Sequence, residues 1–158
     1  MKRLRTQGVT IVEVIIGISI FALVAIFVMQ TLAVYFANAN VTQQKVRAVY
    51  LAEEGQEVMR YLRDSDWNTF SDLAFDTIYY LDVATTTLAT TSVPQIIDNT
   101  YTRSVVLHQA YRNSDDDLVA STTAGASVDS GSRIVITNVE WAGNTVSLEA
   151  LLANIFNI

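Results

Sequence analysis

The sequence predicts an α+β protein: a long N-terminal α-helix, membrane-spanning over its first half, with its outer half packed on a small antiparallel β-sheet head. Three observations predict it. From Val14 to Gln44 there is no Asp, Glu, Lys or Arg. From Leu51 to Asp64 apolar and charged residues recur at helical spacing on different faces. Toward the C-terminus, in Ser132 to Trp141 and again from Val146 to Leu152, apolar residues alternate with polar-leaning ones, the period of a half-buried strand. A chain of 158 residues suits one ordinary domain with a core and is too short for two.

The apolar run from Val14 to Ala37 is 24 residues. As a helix rising ~1.5 Å per residue it is long enough to cross a hydrocarbon core of ~30 Å with some tilt. Lys2, Arg3 and Arg5 precede it, so the positive-inside rule leaves the N-terminus cytoplasmic and sends the chain beyond the apolar run outside. The expected localisation is the cytoplasmic (inner) membrane, single pass, with the polar remainder extracytoplasmic. A secretory signal peptide, cut near Ala37-Asn38-Ala39, has an apolar stretch of only ~7–15 residues, about half the length found here. A plain signal anchor accounts for the length and the basic start. Neither accounts for Glu13, a carboxylate at the head of the apolar run; ionisable groups at membrane depth are costly and usually have a partner or a task.

The stretch "QGVTIVE" (Gln7 to Glu13) resembles the processing site of type IV prepilins and pseudopilins: a short basic leader ending in Gly, then a small or apolar residue, Thr, apolar residues, and Glu fifth after the cut. The resemblance implies cleavage after Gly8 by a membrane prepilin peptidase, N-methylation of Val9, and filament assembly through Thr10 and Glu13. Cleavage would place a positive amine on Val9, one helical turn before Glu13. In an assembled filament the resemblance pairs Glu13 with the Val9 amine of a neighbouring subunit, setting axial register in an otherwise featureless apolar bundle, as one polar residue does in a coiled coil. Two departures stand out. Major pilins usually begin the mature chain with Phe, here Val9, and commonly carry a helix-kinking Pro where Gln30 stands. Without that Pro no kink is built in. Both departures, with the absence of cysteine, point to a minor pilin or pseudopilin.

The helix is expected to continue outward. Leu51, Gly55, Val58 and Leu62 form an apolar or small stripe, while Glu53, Glu57, Arg60 and Asp64 fall on another face, with Glu57–Arg60 and Arg60–Asp64 at pairing distance. Glu53 and Glu54 are adjacent and so do not face each other as a catalytic pair. Ser65, Asp66 and Asn68 are helix stoppers, because their side chains compete for backbone hydrogen bonds. The segment "AEEGQEVMRYLRDSDW" (Ala52 to Trp67) resembles minor pilins of the pilus-modification type and some type II secretion pseudopilins, in Ala52, Glu53, Glu54, Gly55, Arg63, Asp64 and Trp67. From Val9 to Asp66 the helix would be on the order of 85 Å long. Tyr35, Phe36, Tyr50 and Tyr61 read as core.

Strands are expected over Asp76 to Val83, Tyr101 to Tyr111 and Ser132 to Trp141. The Ala142-Gly143-Asn144 turn then returns the chain, with Val146, Leu148, Ala150 and Leu152 on one side. Thr85 to Ser92, before Pro94, reads as a loop or irregular edge, and Asn113 to Ser132 as a surface loop. Its Asp115, Asp116 and Asp117 are oxygen donors of the kind Ca²⁺ takes, but the spacing is not that of an EF-hand, and a solvated turn is the simpler reading. The expected organisation is leader 1–8, transmembrane and filament-core helix 9–38, outer helix 39–67 and β-rich head 68–158.

Without its first eight residues the chain carries seven basic and sixteen acidic side chains, about −9. That balance argues against non-specific nucleic-acid binding, which needs Lys and Arg on phosphates. With no cysteine there is no disulfide, thiolate nucleophile or cysteine zinc site. His108 is the one histidine, set among Val105, Val106 and Leu107 with no nucleophile motif, and reads as an ordinary edge or partly buried side chain. No phosphate loop or metal spacing occurs. The expectation is a structural subunit, not an enzyme, with no cofactor, metal or small-molecule substrate. Its expected partners are prepilin peptidase, other pilin or pseudopilin subunits and the cytoplasmic membrane, serving a type IV pilus or a related secretion or competence filament. The alternative is a signal-anchored extracytoplasmic enzyme or sensor with no filament role.

Overall fold

The computed structural model describes residues 10–82 and 89–155. Helix α1 (Ile11–Ser65, 55 residues) is followed by a short α2 (Trp67–Ser71) and six strands: β1 (Ile78–Asp82), β2 (Ala89–Thr91), β3 (Ile96–Ile97), β4 (Tyr101–Arg112), β5 (Ser127–Trp141) and β6 (Asn144–Ala153). The strands form one antiparallel sheet in the order β2-β1-β4-β5-β6, with β3 pairing β4. The α+β architecture is thus a long N-terminal helix followed by a small antiparallel sheet. The chain divides into two compact units, residues 1–43 and 44–158.

In the second unit one face of α1 lies on the sheet. Leu51, Gly55 and Val58 are buried and Leu62 is half-buried, as the stripe predicts, and the buried face widens to take in Ala48, Ala52, Gln56 and Met59. Glu53, Glu57, Arg60 and Asp64 are exposed. Arg60 pairs with Glu57, but Asp64 takes Arg63 (2.7 Å) and not Arg60. Tyr50 and Tyr61 are not core; both point away from the sheet, because the face that meets it is set by Leu51, Gly55 and Val58. Tyr35 and Phe36, in the first unit, are exposed too and meet edge-on.

The sheet buries the alternate residues that pleating assigns to one side. Tyr101, Arg103, Val105 and Leu107 of β4 and Val135, Thr137, Val139 and Trp141 of β5 are all buried. Val146, Leu148, Ala150 and Leu152 of β6 lie on the same side, Leu152 fully buried and the others half-buried. They make two apolar clusters, one around Met59, Phe70, Leu107 and Val135, the other around Ala48, Leu51, Tyr101 and Trp141. The β5–β6 hairpin closes with Trp141 opposite Asn144, leaving a two-residue turn with positive φ at Ala142 (44°) and Gly143 (79°), the geometry that matches strand twist.

Several boundaries differ from the sequence reading: β1 begins at Ile78 and not Asp76, and the short β3 was not expected. The stretch read as irregular contains β2, whose Thr91 and Thr90 pair with Tyr80 and Leu81; residues 83–88, including Val83 at the expected end of β1, lie outside the described residues. Strand β5 begins at Ser127, inside the expected loop, where Ala110 to Arg112 of β4 pair with Ser127 to Asp129 past a register shift at Gln109/Ala110. Trp67 does not end the long helix. Asp66 is extended (φ −160°) and caps α2, accepting hydrogen bonds from the Asn68 and Thr69 amides, the role short acidic side chains take at helix starts. Hydrogen bonds from Thr69 hold the Asp66 carboxyl below its ordinary value.

Close approach of α1 to the sheet depends on Gly55. A Cβ there would stand 2.7 Å from Thr137 Cγ2 and 3.0 Å from Arg103 Cδ. Gly55→Ala is therefore expected to destabilise the second unit, overpacking at about 1–3 kcal/mol outweighing a helix-propensity gain of about 1 kcal/mol. A lowered denaturation midpoint of the full chain in detergent is the expected reading, and an unchanged or raised midpoint contradicts it. A second expectation concerns acid. Arg112 Nε donates to Asp129 at 2.7 Å, and that hydrogen bond above all holds the Asp129 carboxyl below its ordinary value. The stabilisation is present above the unfolded pKa of about 3.9 and is lost as pH falls from there through the lower folded value. Asp129→Asn should flatten the loss of stability as pH falls below about 4; parallel curves for the two proteins would exclude this role.

Candidate functional site: the apolar helix and its capped start

Two of the four expected site residues, Gly8 and Val9, lie outside the described residues, as does the basic leader. Thr10 and Glu13 are described, and they belong to one device. Thr10 precedes the first helical residue; its carbonyl accepts from Val14 N at 3.2 Å and its hydroxyl from Glu13 N at 3.4 Å. Thr-x-x-Glu at a helix start is the capping-box pattern, and Glu13 also falls in the first turn, where the helix dipole favours negative charge. The cap is made by Thr10; Glu13 contributes its backbone N–H, and its carboxylate makes no hydrogen bond among the described residues.

From Ile11 to Phe36 the large apolar side chains are exposed all round the helix, Ile11 and Phe21 to more than three-quarters. The helix is long and apolar enough to cross a membrane, and none of its most apolar window is buried. Its hydroxyls are turned inward: Ser19 donates to the Ile15 carbonyl (2.7 Å) and Thr31 to the Phe27 carbonyl (2.8 Å). Such back-bonding satisfies the hydroxyl without a solvent or protein partner, which suits an apolar surrounding.

In the second unit the "AEEG…W" residues have structural work. Glu54 pairs at 3.0 Å with Arg103, whose side chain is 1% exposed; Arg103 Nη1 also donates to the Leu51 carbonyl at 3.1 Å. Gly55 admits that side chain. Gln56 Nε2 donates to the Val135 and Leu148 carbonyls at 3.1 and 2.9 Å, tying α1 to β5 and β6. Trp67 and Phe75 lie against the Arg133 guanidinium at 5.7 and 4.9 Å from their ring centroids, while Arg133 donates to the Ser130, Ser132 and Ser71 carbonyls. Burial lowers the pKa of Arg133. These contacts fix α2 to the start of the β5 core. The sequence reading missed Gln56, Arg103 and Arg133; the usable signal is a long polar residue at an inward strand or helix position opposite Gly or Trp.

The other chemically suggestive groups are separate from one another. Glu53, Glu54 and Glu57 line a groove of about 510 Å³ beside Tyr50 and Leu148. An apolar cleft of about 350 Å³ lies between Leu62, Phe70, Leu73 and Thr90. His108, half-buried, meets Asp76 at 2.6 Å. Asn113 Oδ1 accepts from the Asp115 and Asp117 amides at 3.0 and 2.9 Å, and Arg112 donates to the Asp116 carbonyl at 2.7 Å, so the acidic loop is folded on its own backbone. Among the described residues no three His, Cys, Asp or Glu side chains stand together as a metal site. Comparison with known proteins adds no relative: no family model, no curated protein and no solved structure matches the chain.

Proposed function

We propose that the chain is a minor pilin or pseudopilin, a structural subunit of a type IV pilus or a related secretion or competence filament. The observation that carries the reading is the juxtaposition of Gly8, Thr10 and Glu13 with a helix whose apolar side chains are exposed on every face. In this reading prepilin peptidase cuts after Gly8, Val9 is methylated, and the subunit waits in the cytoplasmic membrane with residues 44–158 outside. The helix then leaves lipid for the equivalent helices of other subunits, an exchange of one apolar surrounding for another. Since lipid and helix surfaces are equally apolar, packing and polar pairs decide helix association. Glu13 and a neighbour's Val9 amine supply the charge pair. A plain anchor gives the Gly8–Glu13 spacing no task. The Glu54–Arg103, Gln56 and Arg133–Trp67 contacts serve to hold the head together, and the subunit is expected to need no cofactor.

Because Glu13 also stands in the first helical turn, the choice of variant matters. Gln at this position keeps the capping-box pattern and removes the charge. Glu13→Gln is expected to leave leader removal intact and to lower the subunit's content in sheared filaments by roughly tenfold or more, as loss of one partner from a low-dielectric ion pair costs several kcal/mol. Immunoblots of sheared and membrane fractions read both quantities. Normal incorporation of Glu13→Gln, with failure of Glu13→Ala alone, would reduce Glu13 to a polar residue of the first helical turn.

A further inference from the structure

Between Val14 and Ala37 four side chains carry polar atoms: Ser19, Gln30, Thr31 and Tyr35. Ser19 and Thr31 are satisfied by their own helix. Tyr35 stands near the outer end, where aromatic residues with a polar tip reach the interface. Gln30 is different. It is exposed and makes no hydrogen bond among the described residues, and on the helix it lies about 24 Å beyond Val14 and about 10 Å short of Ala37. Its side chain is too short to reach water from that depth, and an unsatisfied amide in hydrocarbon is costly.

We propose that Gln30 joins two copies of this chain in the membrane as a parallel helix pair, the carboxamide of one hydrogen-bonded to the carboxamide of the other. Three points choose a second copy as the occupant. A carboxamide carries both donor and acceptor and so complements itself. Two copies inserted in the same orientation hold Gln30 at the same depth. Ala33 and Ala37, one and two turns onward on the Gln30 face, are small enough to let the backbones approach. The inference rests on the membrane placement of α1 and not on filament assembly. It also separates two stages. Pairing Glu13 with a neighbour's Val9 amine offsets two copies by about one helical turn, ~6 Å, which parts the two amides. On the filament reading, which the pair itself does not need, the Gln30 pair would belong to the membrane-held subunit and be released on assembly.

The chain has no cysteine, so single cysteines report proximity without background. The full chain is expressed in cells lacking filament machinery and oxidised in membranes with copper phenanthroline. Ile26→Cys, one turn before Gln30 on its face, should give a disulfide-linked dimer, and Leu32→Cys, about 200° around the helix, several-fold less. Adding Gln30→Leu to Ile26→Cys should lower the dimer roughly three- to tenfold, as removal of one interhelical hydrogen bond does, and Gln30→Asn should keep most of it. Extraction at alkaline pH verifies that each variant is inserted. Equal linking of Ile26→Cys and Leu32→Cys, no linking of either, or indifference to Gln30→Leu would each overturn the pair. None of these results touches the filament reading, which the Glu13→Gln incorporation assay tests separately.

Discussion

The exposed apolar surface of α1 constrains everything else about this chain. Between Ile11 and Phe36 eighteen large apolar or aromatic side chains stand open to the surroundings. Burying a single Leu, Ile, Val or Phe is worth about 1.5–3 kcal/mol, so leaving this surface in water costs on the order of tens of kcal/mol. A bilayer would cover it, since the helix is long and apolar enough to cross one, and in the proposed filament other helices would. A sequence under that demand can tolerate few polar groups, which gives each survivor weight: Ser19 and Thr31 fold back on their own carbonyls, and Glu13 sits in the first turn. Gln30 is left with its amide unspent.

Beyond Gln44 the same helix follows different rules. It buries one face, and the burial is not wholly apolar. Gln56 and Arg103 pass between α1 and the sheet, one bonded to carbonyls of β5 and β6, the other to Glu54 and the Leu51 carbonyl. Buried polar groups of this kind often add less stability than apolar ones of equal volume. Gly55 makes room for them, and Arg133, set between Trp67 and Phe75, does the equivalent at the far end of the helix. The outcome is a helix–sheet unit with a fixed register between α1 and β4 to β6.

Periodicity made the helix, the inward faces of β4, β5 and β6 and the Ala142–Gly143 hairpin legible in the sequence, because each buries a repeating apolar set. It did not reveal β2 or the first residues of β5. "SVDSGS" and the Thr-rich stretch around Ala89 lack an apolar repeat; their strand conformation comes from pairing with β4 and β1, which is tertiary. The aromatic residues Tyr50 and Tyr61 misled for the converse reason, since apolar character alone does not say which face of an amphipathic helix is covered. Asp66 read as a stopper and proved to be both stopper and cap. At the candidate site the resemblance drew on Gly8, Thr10 and Glu13, and the Thr10 cap was hidden behind it, because the spacing of the resemblance and that of a capping box coincide.

A capped apolar helix needs only Thr10 at its start. A filament subunit needs in addition a free, modified amine at Val9, and nothing about capping creates one. Mass spectrometry of the chain's N-terminus, from membranes of cells with and without prepilin peptidase, measures that difference directly. For a filament subunit the mature chain begins at methylated Val9 when the peptidase is present and keeps an intact leader when it is absent. Retention of Met1 to Gly8 in both, or a new terminus near Ala39, would contradict the filament reading.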